Sequence, residues 1–469
     1  MIRDLTAKDT ICAIATPLGL GGIGIVRISG KASREILSKI FRPSRAKFPL
    51  KSHRLYHGWV YDPGTGERLD EVLVSYMKAP HTYTREDVVE INCHSGYVIL
   101  EEILRLVLKC GARLADPGEF TYRAFLHGRI DLAQAEAVAD IVESKSRRAL
   151  DIARRQLEGA LSSLVSSWLD LLTDIMAHLE AAIDFEEDTE GEIEETLQLA
   201  ERLKKELIDP IEKTERESRE LSILREGVRL ALVGKPNVGK SSIMNALLKR
   251  ERALVTHFPG TTRDIIEDTF VLEGIPITIM DTAGIRRDAD YIERLGIERA
   301  ISRIGEANII LWILDLSVPL SKEDDEIFEL LKKSSQSLAV VLNKADLAHA
   351  FGPEDVKKRY GIDSALVTIS AIRPGDVDML KGFIKNRFLK EAVEAVSESF
   401  VVSKHHREYL NTAVEALLRV YGLMLEGASP EIVLVELYDA KKALETILGK
   451  GDVGEGILDR IFSRFCIGK

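Results

Sequence analysis

Gly234-Lys235-Pro236-Asn237-Val238-Gly239-Lys240-Ser241-Ser242 follows the apolar run Val228 to Val233 and precedes the helix-like segment Ile243 to Arg250. Strand, glycine-rich turn and helix in that order make a phosphate cradle. The pattern G-x-x-x-x-G-K-S brings backbone N–H groups and a helix N-terminus onto the β- and γ-phosphates of a nucleotide. Lys240 adds a point charge, Ser241 is placed to ligate Mg²⁺, and Asn237, Val238, Gly239 and Ser242 complete the wrap. The fold expected around it is a doubly wound α/β sheet, whose ligands sit at the carboxyl ends of strands.

Four further signals follow in the order a guanine-nucleotide switch requires. Gly260-Thr261-Thr262-Arg263-Asp264 supplies a threonine for Mg²⁺ and the γ-phosphate, with Thr262 the chosen ligand. The run Ile275 to Met280 ends in Asp281-Thr282-Ala283-Gly284, where the carboxylate holds the Mg²⁺ water shell and the glycine N–H meets the γ-phosphate. Leu338 to Leu342 ends in Asn343-Lys344-Ala345-Asp346, whose last carboxylate accepts from guanine's ring N–H and exocyclic amine together. Adenine presents an acceptor at the ring position and is rejected. Ala365 to Ile369 ends in Ser370-Ala371-Ile372, whose backbone caps the guanine oxygen. The set predicts GTP binding. Ile285 stands where many small GTPases carry a water-orienting glutamine, so Arg286, Arg287, Asp288 and Glu293 are the candidates for that role.

At 469 residues the chain is too long for one ordinary core. A net charge of −11, from 64 Lys plus Arg against 75 Asp plus Glu, excludes a surface uniformly coated for nucleic acid. Cys12, Cys93, Cys110 and Cys466 are widely spaced, which points to neither a disulfide framework nor a thiolate zinc site and fits a reducing cytoplasm. No apolar run approaches a membrane span, and the opening Met-Ile-Arg-Asp-Leu-Thr lacks the pattern of a secretion signal, so a soluble, unprocessed protein is expected.

Residues 1–120 alternate strand-like runs with turns, at Ile11 to Ala15, Ile23 to Ile28, Glu71 to Met77 and Val88 to Cys93, with a helical period over Val98 to Cys110. This reads as a small α/β domain. Lys39 to Tyr61 holds six Lys or Arg and no acid and reads as a solvated loop or, alternatively, an RNA contact. Helical periodicity covers 121–223, broken by eight acidic residues in the twelve from Asp184 to Glu195. It resumes over 381–469, so the nucleotide domain at 224–380 is inserted between two helical parts.

These residues, with Pro117-Gly-Glu-Phe-Thr-Tyr-Arg-Ala-Phe-Leu-His-Gly-Arg-Ile-Asp-Leu-Ala-Gln-Ala-Glu-Ala and the terminal Phe465-Cys-Ile-Gly-Lys469, resemble the MnmE (TrmE) family of tRNA-modifying GTPases. The resemblance implies an N-terminal domain that dimerises and binds a 5,10-methylene- or 5-formyl-tetrahydrofolate, a discontinuous helical domain, and GTPase domains that pair transiently with GTP and K⁺. It implies K⁺ near Asn237, Thr256, Phe258 and Thr261, Mg²⁺ on Ser241 and Thr262, and a water-positioning Glu293. Arg27, Glu90, Arg129 and Lys469 fall on positions resembling the folate pocket, and Cys466 on a C-terminal cysteine with either a redox or nucleophilic role or a packing one. Implied partners are a second copy, the FAD-containing MnmG in a heterotetramer, and tRNA, without a membrane. The implied activity is installation of an aminomethyl-type group on carbon 5 of the wobble uridine. A GTP-controlled ribosome-assembly factor is the alternative. Ser95 in His94-Ser95-Gly96, where glycine is commoner, and Arg129, where lysine also occurs, depart from the family pattern.

Overall fold

The computed structural model describes residues 9–19, 21–184, 189–248, 268–281, 305–332, 334, 336–362, 365–390, 402–451 and 454–469. The first sheet contains β1 (Ile11–Ile14), β2 (Gly24–Ser29), β3 (Phe41–Pro43), β4 (Arg54–Tyr61), β5 (Arg68–Met77), β6 (Val88–Cys93) and β7 (Arg113–Leu114). Their order across the sheet is β3-β4-β5-β6-β2-β1-β7, antiparallel except for the β1–β7 pair. Helices Ser33–Ile40 and Tyr97–Lys109 cover one face, burying Ile36, Leu37, Leu100 and Ile103 against Val26, Ile28, Val74 and Ile91. The opposite face carries Arg27 beside its register partner Glu90. Strand alternation thus aims the apolar set at the helices and leaves the polar set for a site.

The expected solvated loop at Lys39 to Tyr61 is corrected: the segment holds the end of a helix and strands β3 and β4. Its charges occupy exposed positions while Phe41 and Val60 are fully buried. Gly58 has to be glycine here, since a Cβ would lie 2.6 Å from the Phe41 ring.

A second sheet contains β8 (Val228–Val233), β9 (Asp268–Leu272), β10 (Ile275–Asp281), β11 (Ile309–Asp315), β12 (Ser337–Asn343) and β13 (Leu366–Thr368), in the order β13-β12-β11-β8-β10-β9. All pairs are parallel except the hairpin β9–β10, whose turn Glu273-Gly274 has φ of +52° and +82°. Two consecutive positive φ values give the turn the twist that a tight hairpin needs. Trp312, fully buried, stacks on Phe328 and meets Tyr360 edge-on beneath the sheet. Helix Pro374–Ile384 continues as a π-helix to Leu389 and buries Val377, Leu380, Ile384 and Leu389 in a separate core with Leu311 and Ile313, past the expected edge at 380.

Between and after the sheets the chain is helical. One apolar core draws Leu161, Trp168, Leu172 and Leu203 from before the second sheet and Leu410, Leu417, Leu437 and Leu444 from after it. The sheet is therefore an insertion in a discontinuous helical domain. The acidic run is not a plain break between helices: Asp184 ends helix Ala160–Asp184, and Glu190, Glu192, Glu194 and Glu195 belong to the helix Thr189–Leu203. Helices contact the inserted sheet at its core and at its hairpin turn. Ile152 and Ile223 pack on its core, and Arg148 lies across the hairpin turn, where a Cβ on Gly274 would be 2.8 Å from its Cδ. Glu273 of the same turn pairs with Lys385 at 2.6 Å.

Trp312→Ala removes the largest fully buried side chain. It should destabilise the second sheet by about 3–5 kcal/mol, measured as a lower denaturation midpoint in far-ultraviolet circular dichroism.

Candidate functional site

The carboxyl ends of β8, β10, β11 and β12 lie side by side, because Leu232 pairs with Asp281, Val233 with Trp312, and Asp315 with Asn343. Loops leaving these ends meet at one edge, the place where an open parallel sheet binds its ligand. After β8, Gly234 has φ +154° and Gly239 φ +100°. A Cβ on Gly239 would run into the Asn343 amide, and one on Gly234 into the carbonyl of Ile313 and, at 3.1 Å, the Val238 side chain. The loop backbone is thus seated where only glycine fits. Asn237 adopts φ +63°, a conformation that asparagine tolerates, and its side chain is exposed. Ser241 and Ser242, also exposed, open helix Lys240–Leu248. The Lys240 ammonium donates to the Gly234 and Lys235 carbonyls at 2.7 and 2.6 Å, drawing the loop around itself.

Asn343, 2% exposed, ties this loop to the base side. Its Nδ2 donates to the Val238 carbonyl at 2.8 Å and its Oδ1 accepts from the Ala371 N–H at 3.1 Å. Lys344 has φ +64° and its ammonium is 2.5 Å from Asp315. Burial pushes the Asp315 carboxyl up, but hydrogen bonds from Lys344 and Ser317 outweigh it and hold the group below its ordinary range. Asp346 Oδ1 accepts from the Ser370 hydroxyl at 2.5 Å, and that bond holds Asp346 below the usual carboxylate range. The Ser370 N–H in turn donates to Asp376 at 2.7 Å. A fixed carboxylate acceptor with a backbone cap beside it is the arrangement guanine's Watson–Crick edge requires.

A second constellation lies on the open face of the first sheet. Arg27 Nε donates to Glu90 at 2.8 Å and Nη1 to the Gly468 carbonyl at 2.8 Å, with the guanidinium 5.6 Å from the Phe120 ring centroid. The Phe120 N–H donates to the Lys469 carbonyl at 3.2 Å. Gly468, at φ +98°, presses on β1 so closely that a Cβ would sit 2.6 Å from the Ile14 oxygen. Arg129 stacks 4.6 Å from the Tyr83 ring, and the Tyr83 hydroxyl is 3.0 Å from Thr121, next to Phe120. Burial pushes the Tyr83 phenol up, against the opposing pull of Thr121, Arg129 and Arg27. The four sequence-predicted residues Arg27, Glu90, Arg129 and Lys469 thus gather around Phe120 and Tyr83.

Residues 10–129 match the family described as the GTP-binding protein TrmE N-terminus, and residues 132–466 match the MnmE helical domain. The chain belongs to the MnmE family. It is 49% identical over 474 residues to the tRNA modification GTPase MnmE of Syntrophobacter fumaroxidans, covering 100% of both chains. To the protein of that name from Thermoanaerobacter pseudethanolicus it is 44% identical over 465 residues, 98% of this chain and 99% of the other. Among solved structures it is similar to Era of Aquifex aeolicus bound to GDP.AlF4-, at 26% identity over 41% of this chain and 67% of that one, with TM-score 0.28.

Within this MnmE chain, Thr256, Phe258, Thr261, Thr262, Thr282, Ala283, Gly284 and Glu293 lie outside the described residues, as do Ile285 to Asp288. Asp281 is seen as the last residue of β10. Cys466 is an exposed free thiol, whereas burial pushes Cys12 and Cys93 up to about 12 and about 11. His94 pairs with Asp70 at 2.7 Å. Ser95, the departure from the family pattern, clasps the backbone at Gly21, ahead of β2: its hydroxyl accepts from the Gly21 N–H at 2.9 Å and also donates to the Gly21 carbonyl. Sequence reasoning missed Asp315, Asp376 and Phe120. Asp315 carried a signal, since it ends an apolar strand as Asp281 does. Lys235 is another omission: it pairs at 2.6 Å with Asp324, 1% exposed, which accepts from Ser321 as well and anchors the phosphate loop to helix Lys322–Lys332.

Ser370→Ala removes the donor that lowers Asp346. The ionised acceptor, present above its folded pKa and lost as pH falls through it, should then be lost at higher pH. Guanine-nucleotide affinity at neutral pH should fall about three- to tenfold, and its acid limb should shift upward in an equilibrium binding titration.

Proposed function

We propose that this MnmE-family chain is a GTP hydrolase that acts in modification of carbon 5 of the wobble uridine of certain tRNAs, together with the FAD-containing MnmG. The observation that carries the reading is the coexistence in one chain of the Asn343-locked guanine-nucleotide loops and the Arg27–Glu90 site closed by the C-terminus. A switch alone explains the first and leaves the second without a role. A tetrahydrofolate suits the second: the Glu90 carboxylate, oriented by Arg27, fits the paired donors of a pterin, and Arg129 fits the carboxylates of its glutamate.

The residues of the phosphate loop fit a Mg²⁺-bound nucleotide, since the loop is moulded where any Cβ at Gly239 would intrude. Ser241 and Thr262 would hold the Mg²⁺, which offsets charge on the phosphate oxygens. Asn237, exposed and with a carboxamide oxygen, is a donor suited to a hard monovalent cation. With Thr256, Phe258 and Thr261 it would hold K⁺ in place of an arginine finger. Lys240 and the loop N–H groups bind and orient the phosphates, Asp346 selects guanine, and Glu293 positions the attacking water that Ile285 leaves unattended. The tip of the β9–β10 hairpin, under Arg148, gives nucleotide-dependent movement near Asp281 a direct route to the helices. The working assembly is a cytoplasmic homodimer joined by MnmG. Among the described residues no helix is long and apolar enough to cross a membrane.

Mass analysis of tRNA from cells lacking this protein should show an unmodified carbon 5 at the wobble uridine. An unchanged wobble base, with ribosome assembly disturbed instead, would replace this reading with that of an assembly factor. Exchanging K⁺ for Na⁺ at constant ionic strength should slow GTP hydrolysis by at least about tenfold, a modest part of what an arginine finger supplies. Equal rates would remove K⁺ from the mechanism.

A further inference from the structure

Outward from Arg129 runs an open groove of about 460 Å³, lined by Met77, His81, Thr82, Tyr83 and Arg85 besides Arg129. Among the described residues no carboxylate lines it. Those nearest in sequence are engaged elsewhere: Glu86 binds Arg123 and Ser29, Asp87 accepts from the Tyr76 hydroxyl at 3.1 Å and the Ala79 N–H at 2.9 Å, and Asp131 accepts from the Gln134 N–H at 2.9 Å. Arg85 is held at φ +57°, with Nη1 donating to the His127 carbonyl at 2.7 Å. His53 is held at φ +56°, with its Nε2 2.9 Å from the carbonyl of the lining residue His81. Two non-glycine residues in the left-handed region at one groove are costly and gather where a surface is built for a ligand. Beyond His53 the chain presents Lys51 and Arg54, both exposed. A chain of net charge −11 has thus assembled here a cationic track that opens beside the Tyr83–Arg129 stack.

We propose that this groove binds the carboxylate chain of an oligo-γ-glutamyl folate, so that the site prefers polyglutamylated over monoglutamyl donors. The proposal rests on the folate reading of the Arg27, Glu90 and Arg129 site. With the pterin on Glu90, the benzoylglutamate end lies toward Arg129, and each added γ-glutamate carries one more carboxylate along the groove to Arg85 and His81, toward His53. The volume is that of a small-molecule cleft, which suits a flexible linked chain of acids better than the wide face of an RNA stem. Exposed charge pairs are individually weak, so the gain accrues over several residues and shrinks as salt rises.

The test is equilibrium binding of 5-formyl-tetrahydrofolate with one and with five glutamates to the full chain, at low and high salt. The pentaglutamate should bind about tenfold more tightly at low salt, and the advantage should fall at high salt. Arg85→Gln should cut the advantage several-fold while leaving monoglutamate affinity, which reports an intact fold and site, unchanged. Equal affinity of the two forms would overturn this assignment alone, and failure of both to bind would overturn the folate reading with it. Equal affinity of the two folates together with tRNA binding that Arg85→Gln weakens would give the groove to RNA phosphates instead.

Discussion

The Asn343 carboxamide joins the phosphate loop to the base-capping loop, so that each constrains the other. It is buried, it donates to the phosphate loop at Val238 and accepts from the base-capping loop at Ala371, and its own backbone closes β12. A buried amide left with one partner carries the desolvation cost of the other, so both loops are held to a single spacing. Gly239 is the complement of that constraint. The amide occupies the volume a Cβ would need, so the phosphate loop and the guanine strand approach as closely as backbone and side chain allow. Lys235 on Asp324 and Ser370 on Asp376 fix the outer ends of the same loops.

The nucleotide sheet was legible in the sequence because its strands are continuous apolar runs that end in polar motifs, as strands buried on both faces must. Val228 to Val233 and Leu338 to Leu342 fall within β8 and β12 with hardly a residue of difference. The first sheet was read less fully. There β4 alternates Leu55, His57 and Trp59 outward against Gly58 and Val60 inward, and a glycine at an inward position hides a strand from any hydrophobic count. Phe120 and Tyr83 escaped notice because their role depends on Arg27 and Arg129, which arrive from other segments. Spacing along the chain carries no trace of such a meeting. The four residues assigned to that site came from family resemblance, and the structure brings them to one place.

The inserted arrangement gives the helical domain a hold on the switch. Its core closes only when helices from before and after the insertion have met, as Leu172 and Leu203 do with Leu417 and Leu444. The inserted sheet enters through Gly227, at φ +75° against the Pro276 carbonyl at the start of β10, and leaves through the helix that carries Lys385. Both ends of the insertion therefore contact one hairpin, and β10 of that hairpin runs straight to Asp281. Arg148 and Lys385 thus meet the end of the hairpin opposite Asp281.

The C-terminus imposes a comparable closure on the first domain. Gly468 reaches Arg27 across the length of the chain, and the path there is set by helix Glu455–Phe462, whose Phe462 packs edge-on against Tyr122 at 5.0 Å. Helix Glu119–Leu126, which presents Tyr122 to the tail and Phe120 to Arg27, is itself fixed by buried charges. Glu119 accepts from Arg113 and Arg123, which share Asp9. Burial pushes the Glu119 carboxyl up, but its two arginines and the Asp116 N–H hold it below its ordinary range, so the cluster stays ionised and ordered. The tail binds a surface that this cluster has already set, and Arg27 is thereby shared between a strand partner and the last residues of the chain.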